Sequence, residues 1–495
     1  MSGDEKQMRR DRLASLEAKG IAPYPATVER THEIGAVLAA FEELHTTGAS
    51  VTVVGRVRAI RQMGGLTFIR LEDGTGSMQA ILKEDEVGAE TYATFLDHAD
   101  VGDFFGFTGT MFVTKKGERS VMASAWTILA KALAPLPDKW HGLQDVETRY
   151  RHRELDLIAN PEVRERFVVR SKLVSAIRSF LDQHGFLEVE TPILQPIPGG
   201  ASARPFVTHH NALDSEFYLR IAPELYLKRL LVGGFEKVYE IGRCFRNEGI
   251  DYSHNPEFTM LEMYWAYAKK DAYVDFLERL VVHAITAAFG KTRVPYGDGE
   301  IDFTAPWPRT TFRDAINDNC GIDINTLSSP KDVVAAAKKA KLAVDFSTCT
   351  GLGEHLDELW KKTARPTMLQ PTWVFDYPIE LKPLTKAHPD DPTKSASVQL
   401  VVQGAEIINA YYHELNDPVD QRARFAAQQD LREKGSEEAQ WMDEAFVNAL
   451  EHGMPPASGV GIGIDRLVAF LTNSPNLKEV ILFPTLRPEA KADDV

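Results

Sequence analysis

Lys237-Val238-Tyr239-Glu240-Ile241, Phe245-Arg246-Asn247-Glu248 and His254-Asn255-Pro256-Glu257-Phe258-Thr259-Met260-Leu261-Glu262-Met263-Tyr264 decide the fold. β-rich runs enter and leave a polar stretch, without the regular βαβ alternation of a parallel sheet. With helices elsewhere, the pattern implies an α+β fold with a mainly antiparallel sheet flanked by helices. The polar stretch gathers a fixed cation (Arg246), a carboxylate (Glu248), a histidine (His254) and an aromatic ring (Phe258). Those groups supply charge for phosphates, a polar edge reader and a flat face for a base. No G-x-x-x-x-G-K-[ST] and no strand-linked G-x-G-x-x-G occurs, so P-loop and Rossmann nucleotide sites are disfavoured.

On either side the same reading continues. Pro161 opens a long helix, with Val163, Phe167, Val174, Ile177 and Leu181 at helical spacing and Gly185 at its end. Further strands are expected at Glu188–Pro192, Phe217–Arg220, Trp373–Phe375 and Val398–Val402, and residues 310–365 read as a helical insertion. Gly459-Val460-Gly461-Ile462-Gly463-Ile464-Asp465-Arg466 combines glycines, which admit close backbone approach, with a helix start near Asp465 that turns its positive end toward phosphate. Residues 156–490 form the expected catalytic domain.

Toward the N-terminus, residues 1–45 read as a helical segment with a basic run from Arg9 to Lys19, broken by Pro23 and Pro25. Five short β-rich runs with glycine turns then fill residues 46–135, which suggests a small barrel of OB-fold type. Pro135, Pro137 and the polar residues that follow read as a linker over 136–155.

The 495 residues allow two or three domains, and 44% hydrophobic with 26% charged residues is ordinary for a globular protein. No apolar run is long enough to span a membrane and no apolar signal core follows Met1, so no membrane partner is expected. Cys244, Cys320 and Cys349 are scattered and odd in number, which argues against a disulfide framework or a zinc site and fits a cytoplasmic protein. A net charge of −15 argues against generic nucleic-acid binding but leaves room for local basic patches, including Arg9, Arg10, Arg12 and Lys19, and Arg56, Arg58, Arg61 and Arg70.

In order along the chain, Phe245–Glu248 with His254–Thr259 and Gly459–Leu467 resemble motifs 2 and 3 of class II aminoacyl-tRNA synthetases. Arg220-Ile221-Ala222-Pro223-Glu224-Leu225-Tyr226-Leu227-Lys228 and His141-Gly142-Leu143-Gln144-Asp145 are similar to the lysyl-tRNA synthetases within that class (class IIb). The resemblance runs from about Arg12 to Pro488. It implies an anticodon-binding OB domain, a class II catalytic domain, a homodimer formed through the helix after Pro161 and Thr191-Pro192 (motif 1), and ATP, L-lysine and tRNA(Lys) as partners.

The resemblance also implies roles. Arg246 meets the α-phosphate, Glu248 reads the adenine amino group, Phe258 stacks on the ring, His254 approaches the distal phosphates and Arg466 covers the other face of the ring or the γ-phosphate. Gly200, Glu224, Glu262, Tyr264, Asn409, Tyr411 and Glu414 form the lysine pocket. Glu406 and Gln399 stand at the Mg²⁺ positions. Arg56, Phe68, Gln79 and Glu118 face the anticodon. By pattern alone, the period of two from Leu66 favours a barrel-core Phe68, and the largely apolar flanks of Glu224 and Glu262 argue against the alternative that these are exposed strand carboxylates.

Two departures stand out. Asn409-Ala410-Tyr411-Tyr412-His413-Glu414-Leu415-Asn416-Asp417 is one residue longer than the family pattern, which shifts Glu414 or Asn409 unless a bulge absorbs it and could bring His413 into the pocket. Gln399 replaces a glutamate, so fewer or weaker Mg²⁺ ions are expected. The expected activity is formation of lysyl-adenylate and transfer to tRNA(Lys). The alternatives are a paralogue that activates lysine or an analogue for another acceptor, and a catalytically impaired tRNA-binding protein.

Overall fold

The computed structural model describes residues 3–137, 143–349, 351–382, 385–433 and 439–488. His141 and Gly142 of the run quoted above, and residues 489–490 at the expected end of the catalytic domain, lie outside them. The chain divides into two compact units, Met1–Gln144 with Glu154–Ala159, and Asp145–Arg153 with Asn160–Val495.

In the first unit, α1 (Gly3–Ala18) precedes a barrel of β1 (Val51–Met63), β2 (Leu66–Glu72), β3 (Ser77–Lys83), β4 (Phe104–Val113) and β5 (Arg119–Ala130), closed in the order β1-β2-β3-β5-β4. Alternate residues fill it: Val51, Val53 and Val57 from β1, Ile69 and Leu71 from β2, and Ala80 and Leu82 from β3. This is the period of two that a half-buried strand requires. Two short helices, Ile34–Ala39 and Phe41–Thr47, lie ahead of the barrel.

The second unit is built on an eight-stranded sheet. Its strands are β6 (Leu187–Glu188), β7 (Lys237–Phe245), β8 (Glu257–Ala266), β9 (Arg309–Thr311), β10 (Thr372–Phe375), β11 (Ser397–Val402), β12 (Ala405–Tyr411) and β13 (Ala457–Gly463). They lie in the order β9-β10-β11-β12-β13-β8-β7-β6, antiparallel except for the two edge pairs. Its helices include α2 (Pro161–Gln183), α3 (Glu224–Val232), α4 (Lys270–Phe289), α5 (Phe312–Cys320), α6 (Pro330–Lys339), α7 (Leu352–Lys362) and α8 (Ile464–Leu471), besides Pro418–Glu433 and Glu444–Glu451. Helices α5 to α7 carry a separate core around Phe312, Leu359 and Trp360.

The central strands are two-faced. Leu261 and Met263 of β8, Ile408 and Ala410 of β12, and Val460 and Ile462 of β13 join Leu173, Ile177, Leu277 and Val281 of α2 and α4 in the main core. The intervening residues point the other way: Met260, Glu262 and Tyr264, Asn409 and Tyr411, Gly461 and Gly463. One sheet face is therefore core and the other is a cavity wall.

Residues 138–142 of the segment read as a linker lie outside the described residues, and its later part is helical. Val146–Arg151 and Arg153–Ala159 are helices, and the Asp145 carboxylate caps the first by accepting from Thr148 N–H at 2.7 Å. Arg153 is fully buried and donates to the carbonyls of Lys478 and Leu482. Proline and polar composition obscured this because these helices are held by capping and by a buried arginine rather than by an apolar stripe.

Candidate active site

A cavity of about 450 Å³ opens on the non-core face of β8, β12 and β13. Arg246, Glu248, His254, Phe258 and Arg466 line one part of it, and Gly200, Glu224, Glu262, Tyr264, Glu406, Asn409 and Tyr411 line the rest.

The cationic part is assembled from the end of β7, the start of β8 and the first turn of α8. Arg246 N–H donates to Pro256 O at 2.9 Å, and its guanidinium stands 5.0 Å from the centre of the Phe258 ring. Its Nε is buried without a partner among the described residues. Burial pulls the guanidinium below its ordinary pKa, and Cys244, Glu248 and Glu262 oppose that. A buried cation with a donor left over is poised for an anion. The Arg466 guanidinium lies 3.3 Å from His254 Nε2, and His254 Nδ1 lies 2.9 Å from an Asp251 oxygen. Asp465 is buried in the first turn of α8, accepts from Thr259 N–H at 2.7 Å and pairs with Arg170 at 2.5 Å. That fixes the helix start against β8.

The acidic part is denser. Glu262 is buried, and Tyr264 Oη donates to its Oε2 at 3.1 Å. Lys228, one helical turn after Glu224 on α3, reaches the Glu224 carboxylate at 2.6 Å and that of Glu414 at 2.8 Å. Burial raises the Glu262 carboxyl well above its usual range, and the neighbouring Glu224 charge adds to it. Burial likewise raises Glu414, against the pull of Lys228. Burial alone would lower Lys228; Glu224 and Glu414 outweigh it and hold its ammonium charged. Three carboxyl groups against one lysine make this part of the site acidic, which favours a ligand carrying cationic groups.

Glycines make this geometry possible. Gly459 lies opposite Tyr264 and Gly461 opposite Glu262 in the β8–β13 register. A Cβ on Gly459 would collide with Glu414 Oε1 and approach Tyr264 Cε1 to 2.6 Å. Here the missing side chain makes room for protein groups rather than for a ligand. Gly200 has φ of +85°, and a Cβ there would stand 2.8 Å from that of Glu224.

Residues 145–487 match the family described as tRNA synthetases class II (D, K and N), and residues 51–129 match the OB-fold nucleic acid binding domain. The chain belongs to the class II tRNA synthetases. It is 49% identical over 482 residues to the lysine–tRNA ligase of Pelotomaculum thermopropionicum, covering 97% of this chain and 94% of that protein. With the lysine–tRNA ligase of Bacillus subtilis it shares 47% identity over 489 residues, 98% of this chain and 97% of that protein.

In this class II synthetase the β11–β12 ladder shifts register between Leu400 and Val401, where Ile407 of β12 bulges. Asn409 and Tyr411 keep the cavity face, Tyr412 turns into the core and donates to Asp376 at 2.7 Å, and Glu414 N–H bonds to Ala457 O. Glu414 thus reaches Lys228 behind the cavity wall. His413 stays out of the cavity lining and faces Lys270, Lys386 and His388. Gln399 is likewise absent from the wall: it is buried, and its Nε2 donates to Asn409 Oδ1 at 3.3 Å. Glu224 opens a helix instead of lying in a strand. Lys228 was legible only as a helical i,i+4 partner of Glu224.

In the synthetase's barrel, Phe68 is half-buried on the outer face and takes no part in the barrel core. Arg61 and Ile81 are its cross-strand partners. Arg56 stacks at 4.3 Å on the Phe104 ring and donates to Gly102 O, Gln79 bonds to Ser120 at 3.0 Å, and Glu118 pairs with Arg70 at 2.8 Å. None of the helices is long and apolar enough to cross a membrane, among the described residues.

Proposed function

We propose that this class II synthetase is a lysine–tRNA ligase: it joins L-lysine and ATP to lysyl-adenylate and passes the lysyl group to tRNA(Lys). The observation that carries this reading is the acidic surplus of Glu224, Glu262 and Glu414 over Lys228, set beside the Arg246–Arg466 end of one cavity. The two ammonium groups of lysine neutralise that surplus. Aspartate and asparagine cannot, because their side chains carry no positive charge.

The reaction is a displacement between two negative groups. A lysine carboxylate oxygen attacks the α-phosphorus, the bond to the bridging oxygen breaks, and pyrophosphate leaves. Arg246 neutralises the α-phosphate as it becomes five-coordinate, a role suited to a permanently charged fork. Glu248 reads the adenine amino group and Phe258, with Arg246 over its ring, stacks on the base. His254 and Arg466 meet the distal phosphates. Gly200, Tyr264, Asn409 and Tyr411 orient the amino acid. No side-chain base is required, because the nucleophile is already ionised.

The residues fit one Mg²⁺. Glu406 lies on the wall and can share an ion with the phosphates, and that ion would draw charge from the triphosphate. Gln399 stands behind the wall, with its Oε1 buried and unpartnered among the described residues, so a second ion on it is a poor fit.

On the barrel, Phe68 stacks an anticodon base while Arg56, Gln79 and Glu118 read edges or backbone; the outward setting of Phe68 supports this. The enzyme works in the cytoplasm as a homodimer, and exposed apolar residues around the motif 1 region, including Leu187, Ile193, Leu194 and Val207, support that assembly. Aminoacylation of a tRNA(Lys) transcript with radiolabelled lysine tests the proposal. Transfer to that tRNA, and none to tRNA(Asp) or tRNA(Asn), is expected; equal charging of all three, or of none, contradicts it.

A further inference from the structure

His254 is held from both sides of its ring. Arg466 presents an N–H to Nε2 at 3.3 Å, and the two Asp251 carboxylate oxygens lie 2.9 and 3.0 Å from Nδ1. A guanidinium only donates, so Nε2 accepts and Nδ1 carries the hydrogen. The two partners thus select one neutral tautomer and leave no room for a hydrogen on Nε2. Asp251 is itself anchored: its Oδ1 accepts from the N–H groups of Ser253 at 2.6 Å and His254 at 2.8 Å, and from Ser253 Oγ at 3.0 Å. The Ser253 N–H, and His254 after it, hold the Asp251 carboxyl well below its ordinary range, so it stays ionised.

A triphosphate upsets this arrangement. It takes the Arg466 guanidinium, and anionic oxygens then face the Nε2 lone pair, which repels them. A shift of the hydrogen from Nδ1 to Nε2 would only turn a second lone pair toward the Asp251 carboxylate. A proton taken from solvent at Nε2 satisfies both sides, because each nitrogen then donates, one to phosphate and one to Asp251. Of the other charged groups lining this end, Arg246 opposes a further cation, while Glu248 and Asp465 favour one; Asp465 is already paired with Arg170. Asp251 is the one carboxylate in contact with the ring among the described residues. The His254 and Asp251 side chains are 45% and 50% exposed, so water screens the pair until a nucleotide covers it.

We propose that Asp251 is a positioning residue that makes ATP binding proton-linked: the bound nucleotide places a proton on His254, and the imidazolium so formed meets the distal phosphates. The proposal rests on the reading above that seats ATP at this end of the cavity. As the bond to the bridging oxygen breaks, its electron pair passes to the departing pyrophosphate. The imidazolium, already in place, balances that charge by hydrogen bonding and keeps its proton. The proton returns to solvent when pyrophosphate leaves.

The test is calorimetry of ATP binding, with Mg²⁺ and without lysine, in two buffers of different ionisation enthalpy. It is run at about pH 7.5, above the second ionisation of a phosphate ester near 6. The heats should differ by a proton uptake approaching one per site. ATP affinity should fall as pH rises, by up to about tenfold per pH unit, because the bound state holds the extra proton. Asp251→Asn keeps the oxygen that accepts from the Ser253 and His254 N–H groups, so the loop persists, but it removes the charge and lets an amide N–H donate to Nδ1. It should abolish the uptake, flatten the pH dependence and weaken ATP binding severalfold. His254→Gln should abolish the uptake as well, which assigns the proton to this ring. ATP binding without uptake in the unaltered protein, or uptake undiminished in Asp251→Asn, would overturn the proposal and leave lysine activation standing. No ATP binding at all would overturn both. Uptake in a protein that shows no lysine-dependent exchange would support the proposal and defeat the lysine reading alone.

Discussion

Gly459 and Tyr264 face one another across β13 and β8, and a Cβ on Gly459 would stand 2.6 Å from Tyr264 Cε1. The same Cβ would collide with the Glu414 carboxylate. Gly459→Ala should therefore disturb two lysine-pocket groups at once. Overpacking of this kind costs about 1–3 kcal/mol. The expected result is a KM for lysine at least tenfold higher with the KM for ATP nearly unchanged, measured by steady-state exchange. Equal increases in both would contradict the assignment of this region to the amino acid.

Arg246→Lys keeps a positive charge but loses the planar fork and its stacking on Phe258. Loss of a transition-state donor costs about 10²–10³ in rate. Single-turnover adenylate formation should slow by that order while lysine affinity persists.

Lys228 is wholly buried between Glu224 and Glu414. Lys228→Met leaves two enclosed carboxylates uncompensated, and breaking such a pair costs about 3–5 kcal/mol. A lowered unfolding midpoint, partly recovered by saturating lysine, is expected in thermal melts.

Burial raises the Glu262 and Glu414 carboxyls above the usual carboxylate range. Lysine binds their ionised forms. Its affinity should therefore fall as pH drops through those raised values, and binding there should release protons. Calorimetry in two buffers of different ionisation enthalpy reads the protons directly; no release at mildly acid pH would count against these carboxylates as the lysine site.

The barrel and the cavity face were legible in the sequence because strand alternation has a fixed period, and motif residues sit on alternate positions of β8 and β12. Three things were not. Asn409 and Tyr411 line the cavity while Glu414 lies off its wall beside Lys228, and counting residues could not say which of them the extra residue would move. Gln399 lies on a cavity strand, yet Asn409 stands between it and the ligand space. Lys382 lies in a stretch without strand or long-helix periodicity, and only tertiary packing brings its Nζ to Asn409 Oδ1, at 3.2 Å.

Phe68→Ala separates the two units functionally. Loss of one stacked base costs about 1–3 kcal/mol, so tRNA(Lys) affinity should fall by tenfold or more. Exchange without tRNA should not change, because Phe68 is remote from ATP and lysine in sequence and belongs to the other compact unit.

Lysine-dependent ATP–pyrophosphate exchange, measured without tRNA and with aspartate and asparagine in parallel, tests the central claim most directly. Rapid exchange with lysine and none with the other two is predicted from the acidic surplus around Glu262. Exchange with aspartate or asparagine, or with none of the three, would contradict it.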